Sequence, residues 1–156
     1  MSGILTVREA TREDIPAILA MLVDDDLGKT REDASEAGRG TYDAAFDRIE
    51  KSSDVSLKIA ELDGRPVGTF LFIVIPGFAL KGMLRVEIEQ VRIASSHRGK
   101  GLGRQMIGWA IAEAQRIGAG MVQLAMNKSR TDSHRFYESL GFTASHEGYK
   151  LALSGD

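Results

Sequence analysis

The sequence predicts a mixed α/β domain: a largely antiparallel sheet of about seven strands with helices on both faces. Three observations predict it. Apolar residues recur with period two in some runs and with helical period in others. Asp63-Gly64, a hairpin dipeptide, joins two β-rich runs. Gly99, Gly101 and Gly103 break the chain between a long strand and the longest helix. With 156 residues, 43% of them apolar and 27% charged, the chain has the size and composition of one globular domain spanning 1–156.

Residues 4–8 alternate as a first strand. Thr11 and Asp14 then offer caps for a helix with the stripe Ile15, Ile18, Leu19 and Leu22, and Pro16 falls in its first turn, where proline is tolerated. Residues 24–40 are rich in charge and glycine, and an amphipathic helix follows over 42–50 through Phe46 and Ile49. Val55–Leu62 and 66–75 are the arms of the hairpin. Residues 83–94 form a third long strand, 102–117 an amphipathic helix ended by Gly118, and 121–126 a short buried strand. Asp132 caps a helix over 132–140 that Gly141 stops, and two short strands, 142–145 and 149–153, close the chain.

Composition narrows the function. A net charge of −2 supplies no global field for nucleic acid, although a local basic patch can still hold a polyanionic ligand. The chain has no cysteine, which removes disulfides, thiolate metal ligands and a cysteine nucleophile, and fits a reducing cytoplasm. The three histidines, His97, His134 and His146, form no i,i+4 pair, so no metal site is assigned. The first fourteen residues lack the apolar core of a signal peptide, and the uncharged stretch 66–80 is too short and too broken by Gly68, Pro76 and Gly77 to span a bilayer.

The segment from His97 to Gly103 precedes a helix, where backbone N–H groups and the positive end of the helix dipole converge and favour phosphate. Gly99, Gly101 and Gly103 let the backbone approach an anion, while Arg98, Lys100 and Arg104 add charge suited to a diphosphate. Neither Gly-Lys pair has the upstream glycine of a Walker A loop, and the glycine spacing departs from the dinucleotide G-x-G-x-x-G. A second signal lies just upstream. The apolar positions Leu84, Val86 and Ile88 are even-numbered, but Val91 and Ile93 are odd-numbered, so the phase slips near Glu89 and Gln90. An inserted residue, a β-bulge, produces such a slip and frees backbone groups for the arm of an extended ligand along Val91, Arg92 and Ile93.

Arg98, Gly101 and Gly103, spaced R-x-x-G-x-G, resemble the acetyl-CoA signature of the GNAT family of N-acetyltransferases. Val7 to Thr11 with Asp14 and Ile15 resembles the family's opening, and Asn127 with the run Phe136 to Phe142 its closing motif. Asn127-Lys128, Arg130, Asp132, His134 to Tyr137 and Ser145-His146 are similar to its aminoalkylphosphonate acetyltransferase branch. The resemblance implies that acetyl-CoA is held by residues 91–93, Arg98 to Arg104 with Leu102 among them, Asn127 and Tyr137. It implies acetyl transfer to a small-molecule or peptide amine, and dimerisation is common in the family it resembles. Asn127 also reads simply as a turn former.

That chemistry needs a base, because an alkylammonium of pKa about 10.4 must lose a proton before it attacks a thioester. Glu87 and Glu89 sit on the strand leading into the slip and share a face if it is regular; Glu87 is preferred, being similar in place to the base of the histone-acetylating branch. A departing thiolate, whose thiol has pKa about 8.5, can be protonated by a tyrosine of pKa about 10, and Tyr137 matches the family's acid. Asp24, Asp25 and Asp26 could attract a cationic amine or form a solvated helix end. A non-catalytic acyl-CoA sensor on the same fold, and a binder of some other phosphate ligand, are the alternatives.

Overall fold

The computed structural model describes residues 3–154 and divides into two compact units, Met1–Gln123 and Leu124–Asp156. In the first, β1 (Leu5–Glu9), β2 (Val55–Leu62), β3 (Arg65–Ile75), β4 (Arg85–Ile93) and β5 (Met121–Gln123) form one sheet in that order. Strands β1 to β4 are antiparallel, and β5 runs parallel to β4. The unit also holds α1 (Ile15–Val23), the single turn α2 (Gly28–Arg31), α3 (Arg39–Glu50), the single turn α4 (Ala79–Gly82) and α5 (Leu102–Arg116). The second unit carries α6 (Thr131–Ser139).

Local chemistry accounts for the connections. Asp14 Oδ2 accepts from the Thr11 N–H at 2.7 Å and from the Thr11 hydroxyl at 3.2 Å, closing the turn that leads into α1. Arg8 on β1 clamps the same carboxylate through Nη1 at 2.7 Å and Nη2 at 2.9 Å, so the cap is tied to the sheet. Asp63 (φ 51°) and Gly64 (φ 76°) are both left-handed, as a two-residue hairpin turn that follows strand twist requires, and Leu62 pairs with Arg65 across it.

Side-chain alternation sorts the packing. Lys58, Phe70 and Phe72 face α5, where Trp109 meets the two phenylalanine rings edge-on at 6.1 and 6.4 Å between centroids. Leu57 and Ile59 face the other way, towards Ile15, Ile18, Leu19 and Met21 of α1 and Phe46 of α3. Gly68 lets α5 come close: a Cβ there would lie 2.9 Å from Met106 Sδ and 3.0 Å from Ile93 Cδ1. Full burial of Met106, Ile107 and Ala110 follows.

The sheet has five strands, not the seven expected. Residues 142–145 and 149–153 are not strands. The Ser145 N–H bonds to the Thr143 carbonyl at 2.9 Å, a tight turn that extended pairing excludes. Tyr149, Leu151 and Leu153 keep their alternation but stand 85–94% exposed, and alternation makes a strand only where a neighbouring strand accepts its backbone hydrogen bonds. The strand expected over 121–126 stops at Gln123, and α3 begins at Arg39, three residues earlier than the apolar stripe indicated. Among the described residues, no helix is long and apolar enough to cross a membrane.

Candidate functional site

The end of β4 and the start of α5 build the site. Glu87 pairs with Ile73 of β3 and Glu89 with Leu71, so the two carboxylates share a face two residues apart, both half-buried. Neither makes an ion pair or a hydrogen bond among the described residues. Beyond Glu89 the register changes. Thr69 pairs with Arg92 and Leu71 with Glu89, so Gln90 and Val91 stand opposite Phe70 alone, and Gln90 is left-handed at φ 55°.

On its other edge β4 is covered only as far as Glu87, which pairs with Gln123 at the end of β5. From residue 88 to 93 that edge has no strand beside it among the described residues. An extended ligand arm could therefore hydrogen-bond along Val91 to Ile93 without displacing a strand.

A turn over Ser95–His97 follows, and then the glycine loop. Gly99 (φ 75°) and Gly101 (φ 76°) are left-handed, and a Cβ built at either meets nothing within 4 Å. Glycine is needed there for backbone handedness, and the open space is what an incoming anion would use. Gly101 caps α5, whose first internal bond runs from the Gln105 N–H to the Gly101 carbonyl at 3.2 Å. The amides of Leu102 and Gly103 lie ahead of that bond at the positive end of a fifteen-residue helix. Lys100 and Arg104 are exposed beside it. These features fit a diphosphate.

Sequence reading missed a clasp between α1 and this loop. Arg98 Nε donates to the Ile93 carbonyl at 3.1 Å and Nη2 to the Asp24 carbonyl at 2.8 Å, with the Asp24 carboxylate 4.0 Å away. Arg92 Nη2 lies 3.5 Å from Asp25 Oδ2. Hydrogen bonding from Ser95, then the charge of Arg98, hold the Asp24 carboxyl below its ordinary range. Asp24 and Asp25 are thus engaged with the arginines of β4 and the loop, and only Asp26 has the solvated character a charge run suggests. The run of three aspartates was the visible signal; Ser95 carried none.

Asn127 and Tyr137 lie in the second unit. Asn127 Oδ1 accepts from the Ser129 N–H at 3.0 Å and the Ser129 hydroxyl at 2.8 Å, the turn-forming arrangement. Tyr137 sits on α6 between Phe136 and Phe142, with centroids at 5.0 and 5.7 Å, and Gly141 (φ 95°) ends the helix behind it. Asp132 falls in the first turn of α6, which starts one residue before the cap expected from sequence. No group of three or more His, Asp or Glu side chains is placed to hold a metal among the described residues.

Comparison with known proteins agrees with this architecture. The family model described as the acetyltransferase (GNAT) family matches residues 19–142. A crystal structure of a transcriptional regulator from Bacillus halodurans C-125 is similar at a TM-score of 0.91 and 39% identity, over 96% of this chain and 100% of that one. A Trypanosoma brucei acetyltransferase has a TM-score of 0.73 at 25% identity, over 96% of this chain and 100% of its own. The aminoalkylphosphonate N-acetyltransferase of Salmonella typhimurium is 37% identical over 67 residues, which are 43% of this chain and 44% of that protein. The match therefore spans less than half of the curated relative's length. The chain belongs to the GNAT acetyltransferase family. That membership supports an acetyl-CoA-dependent acetyltransferase.

Proposed function

We propose that this protein is an N-acetyltransferase that acetylates a primary amine by direct attack in a ternary complex with acetyl-CoA. The observation that carries the reading is the pair of left-handed glycines, with open space over them, at the head of α5. We read the two-for-one register at Gln90 and Val91 as a β-bulge that turns backbone groups of 91–93 to the uncovered edge of β4. Val91, Arg92 and Ile93 would hold the pantetheine arm, and Arg98 to Arg104 the diphosphate, with Asn127 and Tyr137 further contacts. Acetyl-CoA, when bound, supplies the acetyl group as a thioester.

Glu87, or Glu89 beside it, removes the proton from the ammonium so that the nitrogen lone pair is available to attack the carbonyl carbon. As the carbon–sulfur bond breaks, Tyr137 gives its phenolic proton to the sulfur, and the surplus proton on the newly acylated nitrogen restores the tyrosine. A backbone N–H of the bulged segment stabilises the charge that gathers on the carbonyl oxygen. The family match across residues 19–142 spans both compact units, which supports treating them as one acyl-CoA-dependent domain. The absence of cysteine favours a cytoplasmic location.

The amine is of small-molecule or peptide type. The Salmonella relative is named for aminoalkylphosphonates, which makes these the first substrates to try. The decisive experiment incubates the protein with acetyl-CoA and a panel of aminoalkylphosphonates, amino acids and peptides and follows free thiol. Release dependent on one amine class is expected, with no release from acetyl-CoA alone. A second reading, an acyl-CoA sensor without turnover, is favoured by the 39% identical structure described as a transcriptional regulator. Tight coenzyme A binding with no thiol release on any amine would select it. Equal thermal stabilisation by nucleotides and by coenzyme A would instead indicate another phosphate ligand.

A further inference from the structure

We propose that the first unit has a second binding site, where an extended cationic peptide segment adds to the uncovered edge of β2. Strand β1 covers β2 only from Leu62 to Lys58, and the last bond along that edge runs from the Ala10 N–H to the Leu57 carbonyl at 2.8 Å. Carbonyls two residues apart on a strand point the same way. The Val55 carbonyl therefore points to the same open edge, whereas the Asp54 carbonyl is turned inwards and accepts from the Val74 N–H at 2.7 Å. The Val55 N–H rests on the Ser52 hydroxyl at 3.1 Å. The Val55 carbonyl thus stands where the N–H of an added strand can reach it.

The edge forms the floor of a groove of about 500 Å³, within the roughly 300–1,000 Å³ range of ligand sites. Phe46 and Ile49 of α3 wall one side, and Phe72, Val74 and Ile117 the other. An added strand sends successive side chains to alternate faces, so each wall would receive every second residue. Charge selects the occupant. Four carboxylates line the groove, from Glu9, Glu50, Asp54 and Glu113, against one cation, Lys58. Lys58 is already held by Glu9 at 2.5 Å and lies over the rings of Phe72 and Trp109, and Glu113 is held by Arg116. Glu50 and Asp54 make no ion pair among the described residues and are exposed at the rim. Glu113 lies eleven residues along α5 from Leu102, roughly 16 Å from the glycine loop at 1.5 Å per residue, so this site stands whether or not the loop binds coenzyme A.

The test is fluorescence anisotropy with a labelled, end-blocked Lys-Val-Lys-Val-Lys peptide on the whole protein. Binding at least tenfold tighter than that of Glu-Val-Glu-Val-Glu is expected, weakening with salt and lost when alternate peptide amides are N-methylated. Glu50→Lys with Asp54→Lys, both at exposed positions, should reverse the preference towards the acidic peptide. Coenzyme A binding, measured separately, should stay unchanged in this variant. Equal binding of the two peptides, no binding at millimolar peptide, or indifference to the charge reversal would overturn the proposal. So would undiminished binding of the N-methylated peptide together with full competition by spermidine, which would mark a small-cation pocket instead.

Discussion

Arg98 Nη2 donates to the main-chain oxygen of Asp24 at 2.8 Å while its Nε donates to the Ile93 oxygen at 3.1 Å, so one guanidinium joins the end of α1, the end of β4 and the loop before α5. The acceptor at Asp24 sits at the carbonyl end of α1, where the helix dipole favours a cation. Replacing Arg98 should therefore loosen the loop and remove a charge from the proposed diphosphate site together.

Arg98→Ala is expected to weaken coenzyme A binding by tenfold or more, since a charge-assisted hydrogen bond contributes about 1.5–3 kcal/mol. Arg98→Lys keeps the charge but loses the fork that reaches two carbonyls at once, and should fall between the two. Isothermal titration on the three proteins checks the order. Identical affinities would mean that Arg98 serves only the clasp.

Two glycines should fail for different reasons. At Gly101, φ is 76° and the space is open, so Gly101→Ala stores backbone strain of about 1–2 kcal/mol without a clash. At Gly68 a Cβ would press on Met106 Sδ at 2.9 Å and on Ile93 Cδ1 at 3.0 Å. Thermal melts should show both variants destabilised by a few degrees. Trimming Met106 to alanine costs stability by itself, but in the Gly68→Ala background its added cost should be smaller, because it also relieves the clash. No such coupling should exist between Gly101→Ala and Met106→Ala.

How far the sequence could be read follows from how local each signal is. The Asp63-Gly64 turn, the α5 stripe and the slip of apolar parity between Ile88 and Val91 are encoded within a few residues, and the register of β4 against β3 changes at that slip. The clasp of Arg98 on Asp24 joins residues seventy-four apart and goes partly to a main-chain oxygen, which no residue type announces. The missing strands at 142–145 and 149–153 show the converse. The alternation of Tyr149, Leu151 and Leu153 states a preference, but pairing depends on what lies alongside. The roles of Glu87 and Tyr137 rest on resemblance, since a carboxylate on a strand and a tyrosine on a helix are ordinary residues until a substrate is placed against them.

The Arg8 clamp makes acid stability a readout of the β1–α1 junction. The Asp14 carboxyl is held below its ordinary range, chiefly by its hydrogen bond from Arg8, with Thr11 adding to it. A carboxyl whose folded pKa lies below its unfolded value of about 3.9 stabilises the fold above that value, and the contribution is lost as pH falls through the lowered folded pKa. Asp14→Asn should cost about 1–3 kcal/mol at pH 7, as expected for a largely buried, charge-assisted cap. In thermal melts across pH, the gap in stability between the wild type and the Asp14→Asn variant should close progressively below about pH 4. A gap that stays constant down to about pH 2, well below the unfolded carboxyl pKa, would show that shape at position 14, and not its charge, holds the junction.

The two glutamates of β4 can be separated by kinetics. Both face the same side of the sheet, roughly 7 Å apart at the strand repeat, so either could reach an amine directly or through one water. Their surroundings differ: Glu87 pairs with Gln123 of β5, while Glu89 lies past the end of β5, next to the register change. A general base contributes about 10²–10⁴-fold. If Glu87 is the base, Glu87→Gln lowers kcat within that range and leaves the KM for acetyl-CoA unchanged, whereas Glu89→Gln changes kcat less than tenfold. The reverse pattern assigns the proton to Glu89. Less than a tenfold fall in kcat for each variant and for the double variant would place the base elsewhere and leave Glu87 and Glu89 as solvated residues of the strand.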